Sequence, residues 1–167
     1  MEQRRGMTEI NEAFREKFGE DVGFDGLWIV WHTMRAASAI RRYLERGELA
    51  TYNITWSGLV VLTQLWLFGD SASHEIANQS SMSKGTLTGI VSTLESHGWL
   101  VRARADDRRV VMLSLTPAGE ALVSELLPKF QKYDEGIIVD LPADDREHLI
   151  ATLRTVIRNA EADLVED

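Results

Sequence analysis

Residues 101–122 read VRARADDRRVVMLSLTPAGEAL, and this stretch decides the fold. Leu100, Arg102 and Arg104 alternate with Val101 and Ala103. Beyond the polar ADDRR, Val111, Leu113 and Leu115 alternate with Met112 and Ser114. A period of two on both sides of a short charged segment predicts a β-hairpin with a charged tip. Thr116-Pro117 then opens a helix, with proline at the first helical position, where its missing N–H forfeits no intrahelical bond. Four arginines, Arg102, Arg104, Arg108 and Arg109, fall within eight residues of this hairpin.

Immediately upstream, SKGTLTGIVSTLESHG (83–98) has a period of 3.6. Leu87, Ile90, Val91 and Leu94 fall at i, i+3, i+4 and i+7, which makes one side a buried stripe. Ser83 is the expected N-cap and Gly98 the expected stop. The opposite side carries Gly85, Thr88, Gly89, Ser92 and Ser96, all small. A face this slim enters a major groove about 12 Å wide, and short hydroxyl side chains reach base edges or phosphates there. An ordinary solvated face is the bland alternative, but each glycine in a helix interior costs about 1 kcal/mol relative to alanine. Close backbone approach to a partner gives a reason to keep two of them.

Further out, a short helix is expected over 74–79, capped by Ser71 or Ser73 and followed by the tight turn SSMS. Thr55 caps a helix to about Phe68 with the core stripe Leu59, Leu62, Leu65 and Trp66. ATYNIT (50–55) reads as a loop, Leu27 to about Gly47 as a long helix, and 8–18 as a short one capped by Thr8 and ended by Gly19. After the hairpin, one helix runs from Pro117 to about Tyr133. A last one starts at LPADDREHL (141–149), with Leu149, Leu153, Val156, Ile157, Ala160 and Leu164 along one side. The expected fold is therefore mainly α with a small β-hairpin wing, a winged helix-turn-helix flanked by N- and C-terminal dimerisation helices. The corresponding division is an N-terminal extension (1–24), a helical dimerisation region (25–54 and 117–167) and a DNA-binding domain (55–116).

The chain has 167 residues and a net charge of −8, which taken alone argues against a nucleic-acid binder. Its distribution argues otherwise. Residues 1–50 carry −1, 51–82 carry −2, 83–116 carry +2 and 117–167 carry −7, so the capped helix and hairpin form the net positive segment. Screening over about 8 Å at physiological salt keeps a distant acidic helix from cancelling that patch. Cysteine is absent, which excludes disulfides and thiolate chemistry and fits a reducing cytoplasm. No apolar run approaches the roughly 20 residues of a membrane span, and no export leader is expected at the start.

The tip ADDRR has two readings, a solvated salt-bridge cluster or a wing. As a wing, it lays Arg102 and Arg104 along the DNA backbone and inserts an arginine into a narrow minor groove, whose negative potential attracts it. A neighbouring carboxylate orients that arginine in advance.

The segment LTGIVSTLESHGWLVRARADDRRVVMLSLTPAGEAL (87–122) resembles the core of the MarR family of transcription regulators. The match lies in the aspartate–X–arginine of Asp107 and Arg109, in LSLTPAG (113–119) and in LESHGWL (94–100), and the resemblance extends over roughly residues 25–165. It implies a homodimer with intertwined terminal helices, Arg109 as the minor-groove arginine and Asp107 as its orienting partner. It also implies phosphate contacts from Lys84, Arg102, Arg104 and Arg108, and groove-facing groups at Ser83, Thr86, Thr88 and Ser92. Gly89 departs from the family, whose members often carry a long side chain there, so direct base reading is expected to be weaker and DNA shape more important. The apolar stripe of the last helix independently calls for a partner surface. Two-fold pairing would place recognition helices about 34 Å apart on a pseudo-palindromic operator.

Many relatives bind aromatic or phenolic acids between the dimer helices and the DNA-binding lobe. Trp28, Trp31, His32, Arg35 and Trp56 are the candidates here, an aromatic box with a cationic end for a carboxylate, against the plain reading of core and dimer packing. His32, His74, His97 and His148 lack close ligand spacing, so no metal and no cofactor is expected. An enzyme finds no support. There is no phosphate loop or nucleophile elbow, and Asp106-Asp107 and Asp144-Asp145 sit beside basic groups or at a helix start. A protein-interaction module is the stronger rival. The expected partners are double-stranded DNA, a second copy of the chain and an aromatic acid effector, with no membrane.

Overall fold

The computed structural model describes residues 7–19, 23–104 and 110–162. The chain divides into two compact units, Met1–Tyr43 and Leu44–Asp167, with the division inside one helix.

The first unit holds α1 (Met7–Phe18) and most of α2 (Asp25–Arg46). Thr8 is therefore inside α1 rather than its cap; Gly19 ends the helix in the left-handed region at φ +87°. The two aromatic side chains of α1, Phe14 and Phe18, settle around the start of α2. The Phe14 ring lies 5.2 Å from Phe24 and 5.6 Å from Trp28, both edge-on. Such pairs contribute about 0.5–1.5 kcal/mol each beyond area burial.

The second unit runs through α3 (Glu48–Tyr52), α4 (Trp56–Phe68), β1 (Ser71–Ala72), α5 (Ser73–Gln79), α6 (Lys84–Ser96), β2 (Leu100–Arg104), β3 (Val111–Leu115), α7 (Pro117–Ile137) and α8 (Ala143–Ala162). Part of the expected loop 50–55 is helical, because Asn53 adopts the left-handed region and closes α3 before Thr55 caps α4. Ser71 and Ser73 do not cap α5. Ala72 holds the cap position, and Glu75 accepts the Ala72 N–H at 3.1 Å. Ser71 and Ala72 instead pair antiparallel with Leu113 and Met112, so the sheet has three strands in the order β1-β3-β2. Two residues are too few to show an alternating pattern, which is why the sequence did not announce β1.

The hairpin register pairs Leu100 with Leu115, Arg102 with Leu113 and Arg104 with Val111. The core lies between this sheet and α4, α6 and α7. Leu62, Leu94, Leu100, Leu113 and Leu126 are fully buried in it, each contributing about 1.5–3 kcal/mol by leaving water. Trp66, expected in the α4 stripe, is instead 43% exposed beside Leu67 and Phe68. None of the described residues of α8 is buried, and Leu149, Ile150 and Ile157 lie open.

Gly119 explains part of the LTPAG motif. The Thr116 N–H donates to the Trp99 carbonyl at 3.0 Å, and the Thr116 hydroxyl donates to Gly98 O at 2.6 Å. The same hydroxyl oxygen accepts the Gly119 N–H at 3.1 Å, capping α7. A side chain at Gly119 would place its first carbon 2.0 Å from the Trp99 oxygen, so only glycine fits.

Candidate nucleic-acid interface

The polar turn at 80–83 aims α6. Ser81 sits in the left-handed region at φ +50°, and the Met82 N–H reaches back to Ala77 O at 2.9 Å, so the chain reverses sharply between α5 and α6. The Ser83 hydroxyl then accepts the Thr86 N–H at 3.1 Å and lies 2.8 Å from the Thr86 hydroxyl. Ser83 thus acts as the cap the sequence anticipates.

The two sides of α6 separate as the wheel predicts. Leu87, Val91 and Leu94 are buried and Ile90 is half-buried, while Lys84, Gly85, Thr86, Thr88, Gly89, Ser92 and Ser96 are exposed. Among these hydroxyls, Thr88 donates to Lys84 O at 2.8 Å and Ser92 to Thr88 O at 2.9 Å. Nothing stands within 4 Å of a side-chain carbon placed at Gly89. Beyond Ser96, the His97 ring stacks on Trp99 at 4.5 Å, and Gly98 turns the chain into β2 at φ +74°.

Arg102, expected along the DNA backbone, is held by side chains of α6. Residues 100 and 102 share one face of β2, and Leu100 is fully buried on it, so Arg102 is directed back toward α6. There its Nε donates to Glu95 Oε2 at 2.9 Å, and its Nη2 donates to the same oxygen and to Ser92 Oγ at 3.4 Å. The hydrogen bond from Arg102 holds the Glu95 carboxyl below its ordinary range, and the pairing raises the guanidinium in turn. Glu95 was not among the expected site residues. Its spacing of three from Ser92 on one helix side, together with the shared parity of Leu100 and Arg102, is the signal that would have found it.

Between α6 and the sheet lies a cleft of about 210 Å³, whose lining includes His74, Lys84, Thr88 and Arg102. Arg104 occupies the last position of β2, but its side chain lies outside the described residues, as do Asp107, Arg108 and Arg109.

A capped helix with a small outward face, preceded by a tight turn and followed by a two-stranded wing, is a winged helix-turn-helix. A sequence profile described as MarR family matches residues 54–111. Over 141 residues, 84% of this chain and 82% of the relative, the chain is 30% identical to the uncharacterized HTH-type transcriptional regulator YwaE of Bacillus subtilis. The chain belongs to the MarR family. It is a helix-turn-helix transcriptional regulator that binds DNA. The HTH-type transcriptional repressor NicR of Pseudomonas putida is 28% identical over 144 residues, 85% of this chain and 90% of NicR. The fold superposes, with a TM-score of 0.69 and 25% identity, on the C80S mutant of Escherichia coli MarR complexed with operator DNA, covering 86% of this chain and 96% of that one.

The five residues expected to form an effector box do not assemble within either unit of this MarR-family chain. Trp31, His32 and Arg35 line one groove on α2, of about 800 Å³. Trp28 packs with Phe14, and its carbonyl oxygen lies 2.7 Å from His32 Nδ1. Trp56 belongs to the other unit, where it lies 6.2 Å from the Phe130 ring beside a cleft of about 250 Å³. Among the described residues no cluster of histidines and carboxylates could hold a metal, and no helix is long and apolar enough to cross a membrane.

Proposed function

We propose that the chain acts in the cytoplasm as a homodimeric repressor on a pseudo-palindromic operator, released by an aromatic acid. The observation that carries the reading is the pairing of a slim-faced α6 with a wing whose tip, residues 105–109, is rich in arginine. Residues 55–116 form the DNA-reading part, and 25–54 and 117–167 the dimerisation part. In the first unit Ile29, Val30, Trp31 and Met34 of α2 are exposed, and in the second so are Leu149, Ile150 and Ile157 of α8. Two helices with open apolar stripes favour association with a second copy.

On DNA, Ser83, Thr86, Thr88 and Ser92 face the major groove, and Lys84, Arg102, Arg104 and Arg108 neutralise phosphates. Arg109 enters the minor groove, oriented by Asp107. The repressor role draws support from the likeness to NicR. The effector site draws on Trp31, His32 and Arg35, which share one groove. A duplex selected from a random pool by the protein itself serves as the test. Its affinity should fall steeply with salt, because several phosphates are neutralised. Arg109→Ala should weaken binding by about 1–3 kcal/mol without changing the melting temperature. Full affinity in the Arg109→Ala protein refutes the wing assignment.

A further inference from the structure

Glu95 presents a contradiction once α6 is read as the helix that meets DNA. It is a carboxylate on the element that approaches a polyanion, and on charge alone it opposes binding. Its surroundings supply the reason for it. Ser92 and Glu95 stand one helical turn apart on α6, and Arg102 reaches them from β2 across the turn at 97–99. The Ser92 hydroxyl has given its proton to Thr88 O, so toward Arg102 it can only accept. One guanidinium is therefore gripped by two acceptors fixed on a rigid helix. Among the described residues its Nη1 makes no bond, which leaves two N–H groups for a further acceptor.

We propose that Glu95 is a positioning residue for DNA binding: with Ser92 it fixes the Arg102 guanidinium between α6 and β2, so that helix and wing meet the phosphate backbone as one unit. This rests on the DNA-binding reading above. A long arginine side chain loses rotamer freedom when it is immobilised, and one already held before DNA arrives has lost most of it. The grip of Glu95 Oε2 and Ser92 Oγ on Arg102 also ties the root of the wing to the recognition helix.

The proposal inverts the sign that simple electrostatics gives. Glu95→Gln keeps the shape of the side chain and removes one negative charge, so charge alone predicts tighter binding. Positioning predicts a loss of about three- to tenfold, because the charge-assisted bonds to Arg102 are the strong ones. The decisive comparison is Glu95→Gln measured in two backgrounds, wild type and Arg102→Ala, on the same selected duplex at several salt concentrations. Weaker binding in the wild-type background, with equal or tighter binding in the Arg102→Ala background, is the expected result. A loss of the same size in both backgrounds would show a general structural role and overturn the proposal, as would binding by Glu95→Gln that equals or exceeds wild type. Unchanged melting temperatures are expected, since both side chains are exposed; Arg102→Gln substitutes for Arg102→Ala if that variant melts early. Failure of the wild-type protein to select any duplex overturns the DNA-binding reading itself, an outcome distinct from the others.

Discussion

Replacing Gly119 by alanine tests the account of the α7 junction. The added carbon would sit 2.0 Å from the Trp99 carbonyl oxygen, where ordinary contact begins at 3.4 Å. The neighbour is backbone, so no side chain can swing aside. It already accepts the Thr116 N–H at 3.0 Å, and a shift of about 1.4 Å would break that bond. Its loss removes about 0.5–1.5 kcal/mol, and forcing atoms into a filled space adds about 1–3 kcal/mol. The better helix propensity of alanine returns about 1 kcal/mol. The net is a destabilisation of about 0.5–3.5 kcal/mol, or a fall of about 1–14 °C in a circular-dichroism melt at fixed protein concentration. Gly89→Ala is the internal control: the same change in the interior of α6, with open space around it, should be neutral or stabilising by up to about 1 kcal/mol. A Gly119→Ala protein that melts at or above the wild-type temperature refutes the close-contact argument.

Two further outcomes follow from side chains at the surface. Glu125 accepts from Lys129 at 2.8 Å and from the Tyr52 hydroxyl at 2.6 Å, and these bonds, Lys129's first, hold its carboxyl below the ordinary 4.5. A depressed carboxyl stabilises the folded state above the unfolded value and loses that contribution as pH falls through the folded one. The stability gap between wild type and Glu125→Gln, measured by urea denaturation, should therefore stay constant from pH 7 to about 5 and close below about 4.5; a gap that widens in acid contradicts the assignment. For the effector groove, calorimetric titration with a panel of aromatic carboxylates should give heats that Trp31→Ala abolishes, and no heat from any of them removes the effector from the proposal.

The parts of this protein that were legible in its sequence are those where one local rule acts alone. Ser83 and Thr55 cap their helices because each hydroxyl sits within reach of the N–H three residues on, and the alternation around Leu100 and Leu113 leaves one sheet face to bury. The failures are cooperative. β1 exists because Leu113 and Met112 offer it an edge, Trp66 stands in the last turn of α4, where Leu67 and Phe68 are open too, and α3 fills what composition marks as loop. Arg102 was legible as a charge but not as a bonded one, since its partner lies seven residues back on another element. The five aromatic and cationic residues of the expected box were grouped by chemistry; Trp31, His32 and Arg35 share one groove, and Trp56 belongs to the other unit.

The joint at Trp99, Thr116 and Gly119 also bears on how a signal could travel. The foot of α7 and the root of the wing share the same carbonyls, one at the 98 and one at the 99 position, with no spare space between them. Such a joint transmits rather than absorbs. Any tilt imposed on α7 farther along its length arrives at the strands as a tilt of the hairpin, the stiff handle of a short lever.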